Sequence, residues 1–477
     1  MNTISRKVYK ILPTSLKSLA VCLIGGINYY KRYGSYYKQM VVFLRESQWW
    51  DEEKYYCYQL EKLKELLIEA IKFTQYYAEK FNSMGLSVTD IVNAKTIEEL
   101  LHPIPFLEKE TLRCFTDKFI SKNPKRKTWD IVSTSGTTGS PLRVYFDKEG
   151  LQLSFAFWRR FHDWLGLPES FRQVRFSGRQ LFAPEKKHPP FWLYNPFNRQ
   201  LFMSTYHISQ ETLKYYVKKI EEFRPALLDG YPSALYILGK YIIDHDIRLS
   251  FKPTAVATTA ETLYDFQKET IQQAFQCKVY NQYASSEGAP WISECEYGSL
   301  HINPESGIFE FLSSDGKPAG PGDIAEVIVT SFCNYKVPLI RYRIGDYVEL
   351  PEKPIQCQCG RKMPIVKNIL GREDDIIVTP DGRLIGIMSH HILRDARNIK
   401  KAQIIQHSQR HFEIKIVKSE GYSKMDEKFI KENFYACVGK NIEIVFNYVD
   451  EIPLGSSGKF RSVIRLFPLK SSKIDRL

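Results

Sequence analysis

Between residues 129 and 350 short β-rich runs alternate with runs at helical spacing: Leu227-Leu228, then Pro232–Asp244, Ala255–Thr258, Leu263–Phe275 and Lys278–Tyr283. A strand–helix–strand rhythm of this kind closes into a parallel sheet with helices packed on its faces, which leaves few other architectures open. Ahead of it, residues 35 to 120 carry apolar positions such as Leu60, Leu63, Leu67 and Ile71 at helix spacing. Behind it, Ala325–Thr330 and Pro338–Val348 read as strands of a more β-rich part. Composition shifts near Gly371, and Ala402 to Leu466 reads as a small α+β unit: strand 412–417, helix 424–437, strand 442–448. The expected fold is a multi-domain α/β chain. A helical part (1–120) and an α/β and β-rich core (121–370) form one large domain, and a small C-terminal domain (371–477) follows.

A chain of 477 residues, 43% of them hydrophobic, can bury such a core. Its formal charge of +13 favours anionic partners: nucleotides, coenzyme A, acidic glycans or a membrane surface. Nucleic acid is not expected, because no compact block of Lys and Arg with interleaved aromatics occurs. Nine cysteines, an odd number, argue against a disulfide framework and for a reducing cytoplasm. Near the start, Arg6, Lys7 and Lys10 precede an apolar stretch, Leu19–Ile27, which lacks a small-residue cleavage site and is too short to span a bilayer. It reads as a docked or interfacial amphipathic helix; the expected location is the cytoplasm, with the inner membrane face as the alternative within it. Oligomeric state is not legible.

The stretch from Ser133 to Pro141, STSGTTGSP, follows a short strand, Trp129–Val132. Gly136 and Gly139 let backbone N–H groups converge on an anion, and Ser135, Thr137 and Thr138 add hydroxyl donors. It is not the GxxxxGK[ST] loop, since Leu142 stands where the lysine would be. Further along come Ala260-Glu261, Tyr283-Ala-Ser-Ser-Glu287, Tyr342-Arg-Ile-Gly-Asp346, Gly371-Arg-Glu-Asp-Asp375 and Pro453–Arg461. Each segment alone reads equally well as a turn, a helix start or a surface loop. Their order and spacing together argue against five unrelated surface segments.

This set resembles the adenylate-forming superfamily of acyl-CoA synthetases, luciferases and peptide-synthetase adenylation domains. Within it the chain is similar to phenylacetate–CoA ligase-like proteins and their CapK-type relatives from capsule clusters. The resemblance implies an adenylate-forming fold with a mobile C-terminal domain hinged near 371–375. It implies that Ser135, Thr137 and Thr138 cradle the β,γ-phosphates of ATP, and that Ala260 and Glu261 contact adenine. Tyr283 would stack on adenine, Ser286 would contact the α-phosphate region and Glu287 would hold magnesium. Asp346 would bind both ribose hydroxyls, Arg372 the ribose–phosphate side, and Asp374 would be the hinge. Lys459 would neutralise charge as a carboxylate attacks the α-phosphorus. Ala284 in place of the glycine of YGxxE, and Ile344 in place of the threonine of YRTGD, depart from the pattern conservatively.

The implied reaction is ATP-dependent activation of a carboxylic acid through an acyl-adenylate, then transfer to coenzyme A or to an amine or hydroxyl acceptor such as a sugar of a surface polysaccharide. Two alternatives stay open: transfer of AMP itself to an acceptor, and a non-catalytic nucleotide-binding role. Walls of the acid pocket are expected from 155–207 and Leu228–Ser233, where Phe157, Trp158, Phe191, Trp192 and Tyr231 cluster. Arg175, Arg179 and His207 could read a polar acid. Cys295 and His301, with Cys357 and Cys359 on a CxCG turn, suit a structural zinc pinning the 295–301 loop to the segment before the hinge. Reduced surface cysteines are the alternative.

Overall fold

The structure, a computed structural model, describes residues 13–133, 142–179, 181–183, 185–261, 263, 265–313, 316–369, 377–381, 384–385, 392, 398–452 and 463–467. The first part is helical: α1 (Thr14–Arg32), α2 (Ser35–Ser47), α3 (Glu52–Phe73) and α4 (Gln75–Ser83), then short helices between Val88 and Phe119. Asp51 starts α3 by accepting from the Lys54 N–H, which satisfies one of the free donors of the first turn. Leu63, Leu66, Leu67 and Ala70 recur at helical spacing and are fully buried.

A hairpin of β1 (Asp130–Ser133) and β2 (Arg143–Phe146) pairs Ser133 with Arg143 and so closes the Ser/Thr/Gly-rich segment between them. The strand starts one residue later than its sequence suggests. Helix α5 (Lys148–Trp164), capped by Asp147, leads into the alternating region. There follow β3 (Gln173–Ser177), β4 (Trp192–Asn195), β5 (Gln200–Ser204), α6 (Leu213–Phe223), β6 (Leu227–Gly230), α7 (Pro232–Asp244), β7 (Ala255–Thr259), α8 (Asp265–Phe275), β8 (Val279–Ala284), β9 (Trp291–Glu294) and β10 (Leu300–Ile302). Together with β14 (Ile365–Val366) they make a sheet in the order β14-β10-β9-β8-β7-β6-β3-β5-β4. The five central strands, β8 to β5, are parallel and the edges are antiparallel.

Alternation along each strand assigns its two faces. Val174, Phe176, Leu228, Val256 and Val279 pack under α6, α7 and α8. On the opposite face Leu227, Ala255, Ala257 and Tyr280 meet Phe161 and Trp164 of α5. An antiparallel sheet, β11 (Gly307–Leu312), β12 (Ile324–Ser331), β13 (Tyr342–Glu349) and β15 (Asn368–Ile369), packs against the helical part through Val327, Val329 and Tyr342. A short β16–β17 pair (Ile377–Val378, Leu384–Ile385) follows. The last sheet has the order β20-β19-β18-β21, from β18 (Ile399–Gln406), β19 (His411–Lys418), β20 (Glu443–Tyr448) and β21 (Val463–Arg465), with α9 (Lys424–Val438) on one face. Ile404, Ile414 and Ile416 meet Ile430 and Phe434 there.

Candidate active site

Strand β3 lies between β5 and β6, so the chain order reverses at it. In open parallel sheets the ligand crevice lies beyond the carboxyl ends of the strands at such a point. Four segments leave those ends here: Gly178 after β3, Tyr231–Ser233 after β6, Ala260-Glu261 after β7 and Ser285–Glu287 after β8. The Gly178 N–H donates to Tyr231 Oη at 2.8 Å, tying two of them together.

Tyr283 Oη donates to Asp346 Oδ2 at 2.5 Å, so two residues read separately as adenine and ribose ligands meet directly. Glu287, 4% exposed, receives Lys109 Nζ at 3.2 Å and Tyr342 Oη at 3.3 Å. Both contacts fall on Oε1. Oε2 is left for a hard cation, and this buried carboxylate therefore fits magnesium. Lys109 belongs to no recognisable motif and was not anticipated. Ser286 is exposed on the loop between Tyr283 and Glu287.

Ala260 is held at φ +69°, a conformation that costs a residue with a Cβ and that aims the next side chain. That side chain, Glu261, accepts from the Ser233 N–H in the first turn of α7 at 3.1 Å through Oε2. Among the described residues its Oε1 is buried without a partner. Burial pushes the carboxyl up to about 7, and the Ser233 hydrogen bonds pull the other way.

A second polar group lies on the sheet face beneath α5. Asp229 Oδ2 pairs with Arg175 Nη1 at 3.1 Å, while Oδ1 is buried and unpartnered. The carboxamide of Gln282, 1% exposed, has neither end satisfied among the described residues. Arg175 lies 5.7 Å from the Trp158 ring, and Trp158 packs edge-on against Trp291. Phe157 stacks on Trp291 at 5.3 Å. Of the other candidates for the acid pocket, His207, Phe191 and Trp192 are structural. His207 is buried, bonded to Ser204 Oγ and Ala183 O, and stacked on Phe191 within the core under α6. Trp192 packs against the same core. Arg179 lies 5.0 Å from the Phe202 ring. Ser135, Gly136, Thr137, Thr138, Gly139, Arg372, Asp374 and Lys459 lie outside the described residues.

Away from this crevice, Cys295, His301, Cys357 and Cys359 converge, with all four ligand atoms within 4.8 Å of one another. Cys295 Sγ is 3.5 Å from Cys357 Sγ, and Cys359 Sγ is 3.3 Å from His301 Nε2. A tetrahedral zinc with thiolate and imidazole ligands spaces its ligand atoms by about 3.5–3.8 Å, so the donor set fits that ion. His301 Nδ1 lies 3.3 Å from Met363 O, an arrangement that leaves Nε2 as the ligand atom when Nδ1 carries the proton. Two tight turns carry the thiols, with Gly298 at φ +86° and Gly360 at φ +80°, where a side chain would be strained. The cluster joins the β9–β10 loop to the segment entering β14.

The chain is 32% identical to Protein CapK of Staphylococcus aureus over 461 residues, covering 96% of this chain and 98% of that protein. The chain belongs to the CapK family. Residues 377–466 match the CapK C-terminal domain model. A phenylacetate-coenzyme A ligase of Thermus thermophilus is 25% identical over 348 residues, 68% of this chain and 72% of that one. Among solved structures, 2-hydroxyisobutyryl-CoA ligase in the postadenylation state superposes with a TM-score of 0.55 at 16% identity, covering 88% and 91% of the two chains. This CapK-family chain thus has the fold of the adenylate-forming CoA ligases.

Proposed function

We propose that this CapK-family protein activates a carboxylic acid with ATP to an acyl-adenylate, and then passes the acyl group to coenzyme A or to an amine or hydroxyl acceptor such as a sugar of a surface polysaccharide. The observation that carries the reading is the convergence of Glu261, Tyr283, Glu287 and Asp346 at the carboxyl ends of the sheet. In this reading Tyr283 and Asp346 receive adenine and ribose, and Oε1 of Glu261 accepts from the adenine amino group. Glu287 would hold magnesium, which supplies positive charge beside the phosphates when bound. The loop from Ser135 to Gly139 would bind the β,γ-phosphates, Arg372 the ribose–phosphate side, and Lys459 would approach the α-phosphate from the small domain, residues 371–477, turning about Asp374. A relative named phenylacetate-coenzyme A ligase and a fold neighbour captured with an acyl-AMP and CoA support the reading.

Asp229 and Gln282 favour a polar acid. A buried polar atom without a partner costs on the order of 1–3 kcal/mol, and a substrate carrying hydroxyl or amine groups would recover that. The cysteine–histidine cluster would hold a structural zinc. ATP–pyrophosphate exchange across aryl, fatty, amino and sugar acids, with Lys459→Ala as control, tests the reaction. Exchange that needs one acid and Lys459 is expected. ATP binding without exchange for any acid would shift the reading to AMP transfer onto a non-carboxylate, or to binding alone.

A further inference from the structure

Helix α1 packs with its small residues against the protein and its large apolar residues in water. Leu16, Leu19, Leu23, Ile27 and Tyr30 are 47%, 55%, 61%, 59% and 77% exposed. At 3.6 residues per turn they fall within a sector of about 80° on one side of the helix. On the inner side Lys17, Gly25 and Gly26 are buried. A methyl group at Gly25 would overlap the Asn195 carboxamide, and one at Gly26 would press on the Phe197 ring. The glycines therefore let the helix lie close on the end of β4, and the leucines are left over. A continuous apolar stripe of this size on a soluble surface marks a contact with something else.

Charge identifies the contact. From residue 1 to residue 45 the sequence holds eight lysines and arginines, from Arg6 to Arg45, and no aspartate or glutamate; of these Lys17 is buried and Arg45 pairs with Asp163 and Glu169. That is the composition of a segment drawn to a negative surface, and the stripe is what such a surface would bury if it also had acyl chains beneath its headgroups. Lys31 Nζ, at the end of the stripe, donates to the carbonyl of Trp129 at 3.0 Å. Trp129 and Ile131 are themselves 38% and 51% exposed, and tryptophan and tyrosine favour the headgroup level. Among the described residues no helix is long and apolar enough to cross a membrane, so α1 would lie in the interface.

The geometry points to an anionic lipid surface as the partner of the outer face of α1, with the Leu16–Tyr30 stripe seated at the headgroup boundary and the basic residues of this segment that remain in water drawn to its phosphates. The test is cosedimentation of the full chain with vesicles of phosphatidylglycerol and phosphatidylcholine, against phosphatidylcholine alone, at low and high salt. Binding to the anionic vesicles is expected to weaken with salt and to drop about tenfold in a Leu19→Ser/Leu23→Ser/Ile27→Ser variant. Val92→Ser, an exposed apolar residue on another helix, leaves it unchanged. Because the three positions face water, the variant melts like the parent. Should it not, Leu23→Ser alone serves, with a smaller drop expected. No vesicle binding by the parent, or parent-like binding by the triple variant, overturns the proposal. So does a dimer in sedimentation velocity that the triple variant dissociates while neither protein binds vesicles, which would assign the stripe to a second copy of the chain.

Discussion

Tyr283 and Asp346 stand in different sheets, 63 residues apart in sequence, and the hydroxyl of the first sits 2.5 Å from a carboxylate oxygen of the second. The aromatic ring on β8 and the carboxylate on β13 are thereby one preassembled unit. The hydroxyl and the carboxylate hold each other in place across the gap between the two sheets.

Asp346→Ala should raise the dissociation constant for ATP by about tenfold or more, the usual weight of hydrogen bonds to a charged group. Tyr283→Phe keeps the ring and loses only the link, so a smaller loss, about threefold, is expected. Calorimetric titration with ATP reads both. Parent-like affinity in Asp346→Ala would remove the ribose assignment.

Lys109 and Glu287 form an ion pair that is largely out of water, with side-chain exposures of 16% and 5%. Lys109→Met strands the carboxylate and should cost about 3 kcal/mol. Added magnesium should recover part of the lost melting temperature if Glu287 binds the cation. A variant that melts as the parent, or one that magnesium does not help, speaks against the pair or the metal role respectively.

Glu261 makes stability depend on pH with a defined sign. Its carboxyl is held at about 7 in the fold against 4.5 ordinarily, so the folded protein binds the proton more tightly. The resulting stabilisation is complete below 4.5 and is lost as the pH rises through 7. Glu261→Gln cannot lose a proton. It should gain melting temperature relative to the parent between pH 5 and pH 8, and a constant difference across that range would contradict the shift.

Asp229 and Gln282 should set the preference for the acid. Gln282→Leu is expected to raise KM for the best polar acid about tenfold and leave KM for ATP near the parent value. Equal activity on apolar and polar acids in both proteins would place the two residues outside the pocket.

Cys357→Ser/Cys359→Ser should lower the metal content from one zinc per chain to none, and the melting temperature with it. Parent protein free of zinc by elemental analysis would end that reading. Nucleotide binding should survive the substitution, because the cluster lies apart from the crevice.

The parallel sheet was legible because its strands and helices differ in period, and alternation of the two periods survives in sequence. The segments carrying Glu261, Tyr283 and Glu287 stood out in sequence because their residue types are unusual for plain turns, and the structure places them at neighbouring strand ends. The Lys109–Glu287 pair was not, since it joins positions 178 apart and neither neighbour sequence announces it. Nor could aromatic residues be sorted into pocket and core: Phe191 and Phe157 look alike in sequence, and only the helices covering them decide. His207 fell on the same ambiguity. Strand β18, with its lysine pair Lys400-Lys401, lacks a clean alternation and emerged only through its pairing with β19. The thiol cluster was readable because cysteines separated by one residue, with a distant Cys and His, have few other uses.

The run from Ile365 to Ile369 pairs with β10 through β14 and, two residues later, with β13 through β15. It is a stitch between the two large sheets, and the cysteine cluster knots its upstream end. A hinge at 371–375 would therefore hang from an anchored thread. If the small domain turns as proposed, it does so from a point that two sheets and four side chains hold in place.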